Sequence, residues 1–229
     1  MKKSLFRLNK TAVTVMAVIG FTTAMPASAA VIDWAAWSSP VVSATAGSAN
    51  GVAGGVGISY SGELESLQAN YPSYGPNGTF NGGTVDNAPP QANGIIQIYG
   101  GNANQVNIIT FSQAVTNPVF AIWSLGQGGI NASFNFNATP TFESGGPSSE
   151  YSGLPISVVG NVVSGLEGNG TVQFTGTFNS LSWTNPTFEN WYGFTVGVAA
   201  VPEPETYGMM LMGLGVIGFV ARRRRNNQA

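Results

Sequence analysis

Between Lys10 and Arg222 the chain contains no lysine, arginine, histidine or cysteine. Whatever folds there can close no internal ion pair with its carboxylates and no disulfide. Its stability has to come from burial and hydrogen bonding. With the two ends set aside, about 170 residues remain, enough to bury a two-layer core without covalent staples. The same absences narrow the chemistry. Without imidazole or thiol there is no Ser-His-Asp or Cys-His catalysis and no His-ligated zinc, and without lysine there is no Schiff base. The basic residues sit in the first ten positions (Lys2, Lys3, Arg7, Lys10) and in the cluster Arg222 to Arg225. The overall formal charge of -2 therefore conceals an interior stretch carrying Asp33, Glu63, Glu65, Asp86, Glu143, Glu150, Glu167 and Glu189 and no counter-charge. Such a domain cannot neutralise phosphates, and nucleic acid is excluded as a partner.

The apolar residues of this interior come in short, alternating runs separated by Gly, Pro, Asn and Ser. Strands are predicted over residues 30–37, 52–60, 94–99, 106–111, 119–125, 132–137, 156–163, 171–178, 181–184 and 191–198. Residues 132–137 alternate strictly, with Phe134 and Phe136 on one face and Asn135 and Asn137 on the other. The bulky run 119–125 predicts a central, buried strand, and residues 100–104 have hairpin composition between their neighbours. Residues 71–91, rich in Pro, Gly and Asn, read as a mobile surface loop. Many short antiparallel strands with turns between them predict an all-β fold, an antiparallel β-sandwich or jelly-roll-like domain. A β-helix is the alternative, without a fixed-period repeat to support it.

Both ends read as targeting segments. A basic n-region, an apolar stretch over residues 11–21 and an Ala-x-Ala site formed by Ala27 and Ala29 make residues 1–29 a secretory signal peptide, so the mature chain starts at Ala30. At the other end Pro202, Glu203 and Pro204 define an extended segment, because both prolines fix φ and lack an N–H. Residues 208–221 follow as an uncharged run that is apolar on every helical face. About 15 helical residues span roughly 22 Å, short of the ~30 Å hydrocarbon core, so this transmembrane helix needs bilayer thinning, snorkelling arginines or a partner protein. Arg222, Arg223, Arg224 and Arg225 retain the end on the cytoplasmic side. The layout is therefore 1–29 signal peptide, 30–200 secreted domain and 201–229 sorting segment.

The order Val-Pro-Glu-Pro-Glu-Thr-Tyr, a Gly- and Met-rich apolar helix and a terminal arginine cluster closely resembles the PEP-CTERM sorting signal of Gram-negative bacteria. The resemblance covers about the last 29 residues. It implies recognition by an exosortase, an integral-membrane cysteine protease-like transpeptidase, with Pro202, Glu203 and Pro204 as the recognised element. It further implies removal of the helix and arginines, a transient inner-membrane intermediate and release to the cell surface. Members of that family usually come from bacteria that make exopolysaccharide and live in biofilms or flocs.

Within the domain, paired carboxylates for glycoside hydrolysis would be drawn from Glu63, Glu65, Glu143 and Glu150, at separations of roughly 5–10 Å. No cofactor is expected; loops such as Asp86-Asn87 offer hard oxygen ligands that a structural calcium ion could use, although no EF-hand-like spacing is present. Trp34, Trp37, Trp123, Trp183, Trp191, Tyr71 and Tyr74 are candidate stacking platforms for sugar rings, but a Trp on a strand more often belongs to a core. The expectation is a secreted, non-enzymatic surface or extracellular-matrix protein, structural or adhesive and associated with exopolysaccharide. It passes through the general secretion machinery and is handled by an exosortase. A carbohydrate-binding module and a paired-carboxylate hydrolase are the alternatives.

Overall fold

A computed structural model of the chain describes residues 29–70, 78–150, 152–200 and 210–217. Among these described residues sixteen strands follow one another. The first six are β1 (Ile32–Trp34), β2 (Ala36–Val41), β3 (Ser43–Ala53), β4 (Val56–Leu64), β5 (Ser66–Gln68) and β6 (Ile95–Ile98). The next five are β7 (Asn102–Thr116), β8 (Val119–Leu125), β9 (Ala132–Phe136), β10 (Thr141–Gly145) and β11 (Leu154–Pro155). The last five are β12 (Ser157–Val159), β13 (Val162–Gly165), β14 (Gly168–Gln173), β15 (Thr177–Asn185) and β16 (Tyr192–Ala199). They form two 8-stranded sheets. The first runs β10-β14-β8-β16-β6-β5, with β1 added beside β16 and β11 beside β14; the second runs β12-β13-β9-β15-β7-β4-β3-β2. All pairings are antiparallel except β11 with β14. The expected all-β sandwich is what the chain builds.

The central strand β8 shows how the sequence specifies this. Phe120 and Ile122 point into the core between the sheets, while Val119, Ala121 and Trp123 point to the opposite face, where a second core covers them. A strand buried on both faces reads as a continuous apolar run. The inter-sheet core is dense in rings: Phe120 meets Phe136 edge-on at 5.3 Å and Trp183 at 5.5 Å, and Trp183 meets Phe194 at 4.9 Å. Edge-to-face pairs of this kind add to the energy of simple burial. Phe134 and Phe136 enter it together, as their alternation requires.

Several expectations are corrected by the tertiary structure. Residues 30–37 are not one strand: the chain leaves the first sheet after Trp34 and enters the second at Ala36, so Trp34 packs in the outer core and Trp37 in the inner one. Residues 52–60 hold a two-residue hairpin turn, with Ala53 opposite Val56 and positive φ at both Gly54 and Gly55. Residues 156–163 likewise divide into β12 and β13 around a turn. The stretch 171–178 splits where the chain crosses from β14 in one sheet to β15 in the other, and 181–184 is part of β15. Residues 100–104 form no hairpin, because β6 and β7 belong to different sheets. Finally, the described part of the expected loop 71–91 is packed down: Phe80 and Val85 are fully buried. Phe80 lies 4.8 Å from the Trp123 ring. The Asn87 side chain accepts from the Ile32 N–H (2.6 Å) and donates to the Ile32 carbonyl (2.9 Å), binding the connection to β1.

Candidate functional site

The last strand, β16, lies inside the first sheet between β8 and β6, and its final turn of ladder is closed by β1: Trp34 opposite Gly197, Asp33 opposite Val198, Ile32 opposite Ala199. The Ala200 N–H then donates to the Val31 carbonyl at 2.9 Å. Ala30 is held in turn, its N–H on the Thr84 carbonyl (2.9 Å) and its own carbonyl accepting from the Asp86 N–H (3.0 Å). The first and last residues of the domain thus leave the sandwich side by side. Ala29, which flanks the expected signal-peptide cleavage, is exposed at this corner. Ala27, Pro202, Glu203, Pro204 and Arg222 to Arg225 lie outside the described residues, as do Tyr71 and Tyr74.

Residues 200–225 match the PEP-CTERM protein-sorting motif. The chain is therefore an exosortase-targeted, exported protein at this end. Comparison with curated proteins and with solved structures finds no match. The sorting segment begins at Ala200, the residue that closes the last backbone hydrogen bond of the sandwich, so no spacer separates fold from signal. Residues 210–217 are helical and exposed. Among the described residues no helix is long and apolar enough to cross a membrane, and the expected span over 208–221 extends beyond them on both sides.

Of the carboxylates expected to form a catalytic pair, Glu63 and Glu65 stay near enough to repel each other, whereas Glu63 and Glu143 are far apart. Glu63 ends β4 and reaches across to the first sheet just after β6, accepting from the Tyr99 N–H (2.7 Å) and the Gly100 N–H (3.0 Å). Glu143 is on β10, where it accepts from the Thr84 N–H (2.7 Å) and hydroxyl (2.9 Å). β10 and β6 are four strand positions apart, about 19 Å at roughly 4.8 Å per strand, well beyond the reach of a glycosidase pair. Glu65 sits at the crossing from β4 to β5 and Glu150 is exposed in the β10–β11 connection. Among the described residues no three acidic side chains converge to hold a metal ion, and Asn87 spends its amide on Ile32. Trp34, Trp37, Trp123 and Trp183 are buried, so none of these four offers an open ring face to a sugar; Trp191 is half-buried.

What sequence reasoning missed is a buried polar network at one end of the sandwich. The Asn107 side chain accepts from the Glu63 N–H (2.8 Å), lies 2.9 Å from the Tyr60 hydroxyl and donates to Asn185 Oδ1 (3.0 Å). Asn185 in turn donates to the Ser133 carbonyl (2.9 Å), and the Tyr60 hydroxyl bonds the Glu63 carbonyl. Gly62 is required here: with φ +151, a Cβ would fall 2.1 Å from Asn107 Oδ1. Burial raises the carboxyl of Glu63 above its ordinary range, against the two backbone N–H groups that favour its charge. Burial also pushes Glu189 up to about 7, opposed by the Trp191 N–H and reinforced by nearby Glu167. One Glu189 oxygen and the Tyr192 hydroxyl are buried without a hydrogen-bond partner among the described residues. Tyr60, Asn107, Asn185 and Ser133 tie strands of the second sheet to one another, and the Glu63 carboxylate carries the network across to the backbone that follows β6 in the first. Their only signal in sequence is the occurrence of Asn and Glu inside strand-forming runs.

Proposed function

We propose that the domain is a non-enzymatic structural or adhesive component of the cell surface or extracellular matrix, associated with exopolysaccharide. It is exported by the general secretion machinery, held transiently in the inner membrane and released there by the exosortase. The match of residues 200–225 to the sorting motif carries this reading. The fold supports it in two ways. The domain's two ends emerge together, Ala30 beside Val85 and Ala200 beside Val31, so a chain held by both targeting segments presents one fixed corner to the membrane. Glu63 and Glu143 are each committed to backbone N–H groups, which suits scaffolding better than hydrolysis.

Deleting the gene in the native host tests the proposal. Cohesion of the surface matrix is expected to fall and to recover on complementation. The purified protein is expected to release no reducing ends from the host's polysaccharide. Reducing-end release that disappears in Glu63→Gln or Glu143→Gln would overturn the non-enzymatic reading.

A further inference from the structure

The second sheet carries almost no charge. Across its eight strands the only acidic side chain is Glu63, buried at the inner end of β4. The other acidic residues of the domain lie on strands of the first sheet or in connections. Soluble surfaces ordinarily hold about a quarter or more of Lys, Arg, Glu and Asp, so an eight-stranded face without any is a specific feature.

The pairing register shows what replaces the charges. Ser38 is opposite Asn50, Asn50 opposite Ser59, Ser59 opposite Thr110 and Thr110 opposite Ser180. All five are exposed, forming one row of hydroxyl and amide groups across β2, β3, β4, β7 and β15. At roughly 4.8 Å per strand the row is about 19 Å long. Among the described residues, the side chains of Asn50, Ser59, Thr110 and Ser180 make no hydrogen bond within the protein. A second row, Ser48–Ser61–Ile108–Ser182, runs parallel to it. Between Asn50, Gly57, Ser59, Thr110 and Ser112 the face dips into a shallow groove of about 320 Å³, and Gly57 contributes no side chain to fill it.

We propose that this face binds a neutral polysaccharide lying across the strands along the Ser38–Asn50–Ser59–Thr110–Ser180 row; the proposal rests on the cell-surface reading above. The chemistry selects the ligand. A row of uncommitted donors and acceptors at ladder spacing exchanges hydrogen bonds with a polyhydroxylated chain. An anionic polymer finds no cation anywhere in the domain and meets its net negative charge. A protein partner would want an apolar, aromatic centre, whereas the exposed apolar side chains here are scattered valines such as Val52 and Val106.

The test uses the full chain in mild detergent, with cellulose, chitin and dextran as neutral probes and alginate as the anionic one. Saturable retention by a neutral probe is expected, weakened about tenfold or more by Ser59→Glu with Thr110→Glu. Both sites are exposed, so the fold is expected to survive, with the melting temperature lowered by a few degrees at most because the two new carboxylates face each other across β4 and β7. Ser59→Ala with Thr110→Val, which removes the hydroxyls without adding charge, is expected to weaken retention by a smaller factor. Neutral binding that survives both variants would overturn this face while leaving the surface-glycan reading intact. Retention on alginate alone, or on no probe, would overturn the neutral-polysaccharide ligand, and matrix cohesion in the deletion strain separately decides the broader reading. Self-association abolished by Thr110→Glu would assign the face to a second copy of the chain instead.

Discussion

The packing of residues 78–90 onto the first sheet can be tested through Phe80. Its side chain is fully buried, and its ring sits 4.8 Å from Trp123 in a core formed with Ile32, Trp34, Val85, Ile95, Val119 and Ala121. Phe80→Ala removes that ring from a site bounded on one side by β8, a strand that cannot move because it is also packed in the inter-sheet core. Limited collapse puts the cost at about 3–5 kcal/mol, the ordinary range for a buried Phe truncated to Ala. For a domain of this size each kcal/mol lowers the melting temperature by about 2–4 °C, so the expected drop is about 6–20 °C. The assay is thermal unfolding of the full chain followed by near-ultraviolet circular dichroism, with Val52→Ala as an exposed control expected to stay within about 0.5 kcal/mol of wild type. A drop below about 2 °C for Phe80→Ala would mean that the connection is loosely held, and the second core would not be a stabilising unit.

Two further outcomes follow from the buried polar groups. Asn107→Ala leaves the Glu63 N–H and Asn185 Oδ1 without their partner and is expected to cost about 2–4 kcal/mol in urea unfolding; a loss under about 1 kcal/mol would show that water replaces the amide. Glu189 has its carboxyl raised to about 7, so its penalty is absent below the ordinary carboxylate range, grows as pH rises from there and is complete above about 7. Glu189→Gln is therefore expected to stabilise the domain by on the order of 1–2 kcal/mol at pH 8 and by nothing measurable at pH 4; equal effects at both values would contradict a buried, uncompensated acid.

Much of the sandwich was legible because burial in a sheet writes itself into local pattern. The run 119–125 announced β8, and the alternation around Phe134 and Phe136 announced β9. What failed was the point at which the chain changes direction or sheet. Gly54-Gly55 sits in a Gly-rich run that reads as strand until positive φ turns it, and residues 100–104 look like a hairpin although their flanking strands pair with others. Phe80 and Val85 were hidden in a Pro- and Gly-rich stretch, where composition argues for a loop and says nothing of what the loop covers. The sorting segment was legible outright, since its signal is carried by residue order. The Glu63–Asn107–Asn185 network was not, because its members are 44 and 78 residues apart and meet only through the sheet register. The charge-free face was half legible: the missing cations are evident in the sequence, while the row from Ser38 to Ser180 exists only once five strands are in register.

The central claim is delivery through the sorting segment, and intact mass combined with cell fractionation of the protein from its native host tests it most directly. The expected product lacks the residues before Ala30 and those beyond the Pro202-Glu203-Pro204 region and lies outside the inner membrane. Replacing Pro202 and Pro204 with Ala should convert it to an unprocessed, membrane-retained form. A wild-type mass that still includes Arg222 to Arg225, found in the membrane fraction, would contradict the account and leave a tail-anchored domain in its place.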